Sequence, residues 1–452
     1  MRFGILLCLI VLMVLSASSA AYSQEEEHHE YEPSAFLILP FILMLGSIAV
    51  IPLVREHWWE NNWNKLIVAA VLGIPIGVFY VFVDLTALEH SMLEYFSFIV
   101  YVGSLFVISG GIVLRGDLKV SPSVNLAFLA TGASLASFIG TPGASMLLIR
   151  PLLRINEGRR TIKHVVIFFI FSVSNIGGCL TPLGDPPLFL GYLRGVPFTW
   201  TFNLWPAWLM ANILLLTGFY FMDRHLFKTD PHMELQRRTP GDKHTPLSLT
   251  GLINFLWLGG VVCSVAFLDL GMRELAMVLV VVMSIITTPK GLREENRFTY
   301  HPVIEVAFLF IGIFLTMIPA LQLLKAYGPT LAEKGLTEPW MFFWFTGSLS
   351  AFLDNAPTYL TFFTLAQGLG ATENLVAATE VSYSMLEAIS LGAVFMGAVT
   401  YIGNGPNFMV KAIADESGTK MPTFLGYMLW ALVILIPLFI LMTFMVFIFH
   451  IL

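Results

Sequence analysis

Apolar stretches near or above the roughly 20 residues that span a bilayer recur from one end of this 452-residue chain to the other. Ala35–Val54, Leu66–Val83, Leu249–Leu270, Met277–Pro289, Val303–Pro319 and Phe424–Leu452 are examples. A segment in hydrocarbon must satisfy its own backbone hydrogen bonds, so runs of this kind are helices. Only 12% of the residues are charged and 57% are hydrophobic, whereas soluble domains carry about 25% charge. The expected fold class is an all-α polytopic membrane protein of about 11 spans. Its surroundings are lipid, and nothing in the charge pattern points to nucleic acid. Cys8, Cys179 and Cys263 lie in apolar segments without paired or metal-binding spacing, so they read as small hydrophobes.

The opening "MRFGILLCLIVLMVLSASSAAYSQ" has one positive charge, a short apolar run and a small-residue exit. This predicts a signal peptide over residues 1–21, cleaved near Ala20 or Ala21, with an uncleaved first helix as the alternative. An acidic tail over 22–34 then lies outside the cytoplasm, and its His28 and His29 read as solvated. Lys and Arg cluster between the spans, so the positive-inside rule can be applied loop by loop. Arg55 and Lys65, Arg115 and Lys119, Arg150 to Lys163, Arg224 to Lys243, Lys290 to Arg297, and Lys411 with Lys420 all fall inside. Beyond the leader, only Arg194, Arg273, Lys325 and Lys334 of the 24 basic residues fall outside. The membrane is expected to be the bacterial inner membrane.

This bookkeeping makes Ser121–Leu153 start and finish on the inside, with "GTPG" at its centre. It reads as a re-entrant hairpin whose tip turns within the membrane. By the same count Pro339–Gln367 starts and finishes on the outside, with "LDNAP" at its centre. The two hairpins enter from opposite faces. "LASFIGTPGAS" (Leu135–Ser145) also aligns with "LSAFLDNAPTY" (Leu349–Tyr359), and "LTPLGDPPLFL" (Leu180–Leu190) with "VTYIGNGPNFM" (Val399–Met409). The offsets are 214 and 219 residues, which indicates an internal repeat. We therefore expect two inverted repeats, over 35–222 and 249–452, joined by a basic cytoplasmic loop over 223–248. Each contains a hairpin and a helix interrupted at "PLGDPP" or "YIGNGP". Paired broken helices in corresponding places point to a transporter's binding site near the midplane.

A carboxylate at that depth is costly and by default functional. Asp185 and Asp354 are the candidates, one per half. A carboxylate stripped of water holds a proton or a metal ion but not comfortably both, which is the physical basis of exchange. The plainer reading is that each Asp caps a half-helix N-terminus. His301 and Glu305, four residues apart, share a helix face, and an interfacial charge is the simpler reading than metal ligation. His164 reads as interfacial, and Asp84, Glu89, Glu94 and Asp269 as outer-end charges without a special role.

"SNIGGCLTPLGDPP" (Ser174–Pro187) resembles the broken-helix motif of NhaD-type sodium/proton antiporters, and "SAFLDNAPT" (Ser350–Thr358) resembles their second hairpin. With "GNGPN" (Gly403–Asn407), the pattern is similar to the ion transporter superfamily, which includes citrate transporters, arsenite efflux pumps and divalent-anion/sodium symporters. The resemblance spans about Phe36 to Leu452. It implies cation and substrate sites at the hairpin tips and broken helices. By position these are Thr141, Asn175, Thr181, Gly184, Asp185, Asp354, Asn355, Thr358, Thr400, Asn404 and Asn407, with Na⁺ near Asp185, Asp354 and Asn355. It also implies elevator-like alternating access and a homodimer. "FIGTPGAS" departs from the family in lacking the acidic-Asn tip of the first hairpin.

Na⁺/H⁺ antiport is the leading expectation, with Na⁺ as transported ion and no resident cofactor. Na⁺- or H⁺-coupled uptake of citrate or a related carboxylate is the alternative. No Lys or Arg is placed to neutralise a multivalent anion at midplane depth, which favours the cation. Enzymatic function is not expected. An intramembrane aspartic protease would want Gly two residues before the glycine-linked Asp, where this chain has Pro182, and its PAL element last, whereas Pro319 precedes Asp354.

Overall fold

The computed structural model describes residues 33–116, 118–230 and 248–451. The predicted signal peptide, nearly all of the acidic tail and most of the basic central loop lie outside the described residues. Sixteen helices longer than a turn organise what is described, with almost no sheet. The chain opens with α1 (Leu39–Val54), α2 (Asn62–Val83) and α3 (Leu85–Ser109). Polar caps start the second and third of these: Asn61 accepts from the Trp63 amide at 3.0 Å, and Asp84 from that of Ala87 at 3.0 Å. Such caps satisfy N–H groups that a helix cannot pair internally.

After α3 a short strand, β1 (Val113–Arg115), pairs antiparallel with β2 (Ser248–Thr250). Next come α4 (Pro122–Ile139) and α5 (Thr141–Ile155), packed on each other and joined by Gly140 alone. Gly140 has φ +78°, a conformation that carries no steric cost only without a Cβ, so the chain reverses there in a single residue. α6 (Lys163–Ser172) then stops, and a 3₁₀ turn at Ile176–Cys179 and an irregular stretch lead to α7 (Pro186–Leu193). Pro186 and Pro187 lack the N–H groups an unbroken helix would need, but both suit a helix start. α8 (Trp205–Lys228) completes this half.

The second half runs α9 (Ile253–Phe267), α10 (Met272–Thr287), α11 (His301–Glu333), α12 (Pro339–Phe352), α13 (Asn355–Gly368), α14 (Tyr383–Met396), α15 (Gly405–Glu416) and α16 (Phe424–Met442). α12 and α13 meet through Leu353 and Asp354, while α14 and α15 are separated by a 3₁₀ turn at Gly397–Val399 and an irregular run. The helix breaks thus fall where the sequence correspondence places them. Among the described residues, seven helices are long and apolar enough to cross a membrane, and Lys163–Cys179, Ile253–Phe267 and Tyr383–Val399 are shorter apolar segments.

The helices sort into two bundles. α11 packs against α1, α2 and α3, and α9, α10 and α3 pack together. The other bundle holds α4–α8 and α12–α16. They touch where α3 meets α5 and α7, and where α11 lies along α13. In the latter contact a Cβ on Gly328 would overlap the Gly368 backbone.

Two charged groups depart from expectation, and a third meets it. His164 is wholly buried rather than interfacial. Its Nε2 lies 2.8 Å from Asp223 Oδ1, to which Arg159 also pairs at 2.7 Å. The Arg-rich loop folds back beneath α8, where the Asp223 carboxylate repays the burial of both. Glu94 is likewise buried, in a two-pronged pair with Arg194 at 2.5 and 2.9 Å that joins the bundles. Glu305 binds Lys65 at 2.6 Å, so the His301–Glu305 pair is not a ligand set here. Among the described residues no group of three or more His, Cys, Asp or Glu is disposed to hold a metal.

Candidate functional site

Asp185 closes the irregular stretch before α7. It stands at the N-cap position, yet its carboxylate makes no capping bond. Each oxygen instead receives donors from other segments. Thr141 Oγ1, at the first hairpin tip, donates to Oδ1 at 2.8 Å, and Asn404 Nδ2, at the second helix break, donates to the same atom at 3.0 Å. Asn355 Nδ2, at the second hairpin tip, donates to Oδ2 at 2.5 Å. Both hairpins and both broken helices therefore converge on one wholly buried carboxylate.

The network continues away from Asp185. Asn404 also donates to Asn175 Oδ1 and the Ser174 carbonyl, each at 3.2 Å. Asn175 donates to Asn407 Oδ1 at 2.7 Å, and Asn407 to the Gly397 and Thr400 carbonyls at 2.8 and 2.9 Å. These amides satisfy carbonyls released by the breaks, which would otherwise be orphaned. The Gly184 carbonyl accepts from the Thr141 amide at 2.8 Å. Among the described residues, no Lys or Arg pairs with Asp185. The buried Asn355 Oδ1 makes no hydrogen bond among the described residues.

Other expected residues do different work. Thr181 Oγ1 donates to the Ser137 carbonyl, and Thr400 Oγ1 to the Ala351 carbonyl at 2.5 Å. Ser137 and Ala351 are themselves matched across the 214-residue offset, so the same clamp fastens hairpin to broken helix in each half. Matched glycines complete it. A Cβ on Gly184 would strike the Gly178 carbonyl, and one on Gly403 the Gly397 carbonyl. Asp354 is half-buried and caps α13 through the Ala356 amide at 3.0 Å, so the capping reading fits Asp354 and not Asp185. Thr358 Oγ1 donates to the Asp354 carbonyl at 2.9 Å. Asp354 thus sits beside Asn355 without bonding Asp185.

Tyr101 on α3 escaped the sequence reading. Its hydroxyl donates to the Leu183 carbonyl at 2.9 Å, and its ring stacks on Phe189 at 3.9 Å. It is a tyrosine in an apolar helix, and only packing reveals that it faces the helix break.

Interrupted helices meeting at a buried, oxygen-lined carboxylate inside a polytopic helical membrane protein are the architecture of a membrane transporter rather than an enzyme. A protein-family model described as "Putative citrate transport" (CitMHS_2) matches residues 30–447. The chain belongs to that family, consistent with the superfamily resemblance of its motifs. No curated protein matches it.

Proposed function

We propose that the protein is a secondary active transporter in which Asp185 alternately holds a cation and a proton, with Na⁺/H⁺ exchange the reaction it performs. The observation that carries this reading is the Asp185 cage itself. A buried carboxylate served by two amides and a hydroxyl, with no basic partner, keeps an uncompensated charge that a proton or small cation would complete. Na⁺ takes oxygen ligands, and the unpaired Asn355 Oδ1 is a spare one next to the carboxylate. Thr141, Gly184, Asn404 and Asn175 supply further oxygens within the same network.

In this reading the halves are inverted repeats, the pairs α4–α5 and α12–α13 are re-entrant hairpins, and the second bundle moves against the first. The family description favours a second reading, in which a cation or proton at Asp185 drives uptake of citrate or a related carboxylate. Reconstitution with a trapped pH dye separates the two. Added Na⁺ should dissipate an imposed pH gradient, and Asp185→Asn should abolish the effect. Saturable uptake of radiolabelled citrate without a Na⁺-evoked dye response assigns the second reading instead.

A further inference from the structure

Glu387 is the one charged residue of α14, four residues into the helix. It is half-buried, with no hydrogen-bond or ion-pair partner among the described residues. The elements packed on α14 are α12, α13, α7 and the turns at Ile176–Cys179 and Gly397–Val399. None of them carries a Lys, Arg, His, Asp or Glu. Cys179 and Tyr383 lie within electrostatic reach of Glu387. An acid placed this way in an apolar helix has no structural counter-ion to explain it.

The polar atoms between it and the site are also underused. Ser390, one turn further along α14, is wholly buried and its Oγ makes no hydrogen bond. Tyr359 on α13 interacts with Ser390 and is itself buried. Its hydroxyl occupies space left by Gly191 on α7, where a Cβ would overlap it. Asn355, four residues earlier on the same face of α13, holds Asp185. Along α14, Glu387 lies about 15 Å from the break that follows the helix, at 1.5 Å per helical residue. In the first half, the positions 219 residues earlier are Phe168 and Phe171, both buried. The corresponding positions of the first half are therefore apolar.

We propose that Glu387, Ser390 and Tyr359 form a proton-transfer file that connects Asp185 with the aqueous phase at the Tyr383 end of α14. One proton moves: protonated Asp185 becomes a carboxylate as the Glu387 carboxylate becomes an acid. Each hydroxyl between them gives up its own proton as it receives the next, so charge and atoms balance. The inference rests on the proton-coupled reading of Asp185, and the test keeps the two apart.

In proteoliposomes, ²²Na⁺/Na⁺ equilibrium exchange requires the cation site but no proton, whereas uptake driven by a pH gradient requires both. Glu387→Gln should leave exchange within about twofold of wild type and slow gradient-driven uptake at least tenfold, with Glu387→Asp restoring part of it. Ser390→Ala removes a hydroxyl whose contact with Tyr359 falls short of a well-formed hydrogen bond, so it should slow driven uptake severalfold with little change in melting temperature. Equal loss in both assays, or loss in neither, overturns the file. If wild type carries no ²²Na⁺, the antiport reading falls. The same comparison then runs with [¹⁴C]citrate, counterflow against gradient-driven uptake, with the same expected split. Transport of both solutes indifferent to a pH gradient overturns the file and the proton-coupled site together.

Discussion

Asp185 and Asp354 look alike in the sequence, one per half, yet their surroundings separate them. Asp185 receives three side-chain donors from three segments, while Asp354 turns to its own helix. Different variants should therefore behave differently. Asp185→Asn replaces an acceptor with a donor facing the amides of Asn355 and Asn404. It should abolish transport and erase any rise in melting temperature that NaCl produces over choline chloride, because a ligand stabilises only the state that binds it. An Asp185→Asn protein still stabilised by NaCl would remove the cation from this site. Asn caps helices as well as Asp, whereas Ala loses about 1 kcal/mol. Asp354→Asn should thus keep thermal stability and Asp354→Ala should lower it. If transport falls equally in both, the Asp354 charge matters to function independently of its cap.

At the level of elements, close backbone contact joins the side-chain clamps in holding the breaks in shape. Gly178 lies against Gly184 and Gly397 against Gly403, where an added Cβ would meet a carbonyl oxygen. Overpacking of this kind typically costs about 1–3 kcal/mol. Gly184→Ala and Gly403→Ala should each lower the melting temperature, whereas Gly405→Ala, with nothing within 4 Å, should not. Equal stability in all three would mean that the two segments are free to separate. Thr181→Val and Thr400→Val remove the hydroxyls that clamp each hairpin to its broken helix. Each should cost about 1 kcal/mol, the usual net worth of a hydrogen bond.

For the whole molecule, specific polar contacts tie the two bundles together among the described residues. Glu94 on α3 grips Arg194 just beyond α7, and Tyr192 donates to the Val265 carbonyl on α9 at 2.5 Å. If transport moves one bundle past the other, a cleavable thiol cross-linker joining Glu94→Cys to Arg194→Cys should stop it, and reduction should restore it. Undiminished transport in the cross-linked protein would show that the bundles stay fixed. Outside the bilayer, Arg115, the last residue of β1, hydrogen-bonds Glu295 and holds that carboxyl below the ordinary carboxylate range. A lowered folded-state value gives a contribution present at neutral pH and lost as pH falls through the carboxylate range. Arg115→Gln should therefore lower the melting temperature slightly at neutral pH and not at about pH 3. High salt should shrink the difference, since the pair is exposed.

Apolar run lengths, Gly–Pro clusters and two matched motif pairs pointed to the helices and their breaks, because lipid leaves a segment little choice but helix, while the family resemblance named the residues around Asp185. Those signals are local, and a proline or a missing Cβ acts wherever it stands. The division of labour among the polar residues was not local. Thr181 and Thr400 read as ligands and became clamps, Glu94 and His164 read as surface charges and became buried, and Tyr101 and Glu387 went unnoticed. Which atom a hydroxyl, imidazole or carboxylate meets depends on helices more than a hundred residues apart in sequence, as with Glu94 and Arg194 or Asn175 and Asn407. Only the packed structure decides that, since burial charges each polar group for water it has lost and leaves its partner to whichever segment lies across the gap.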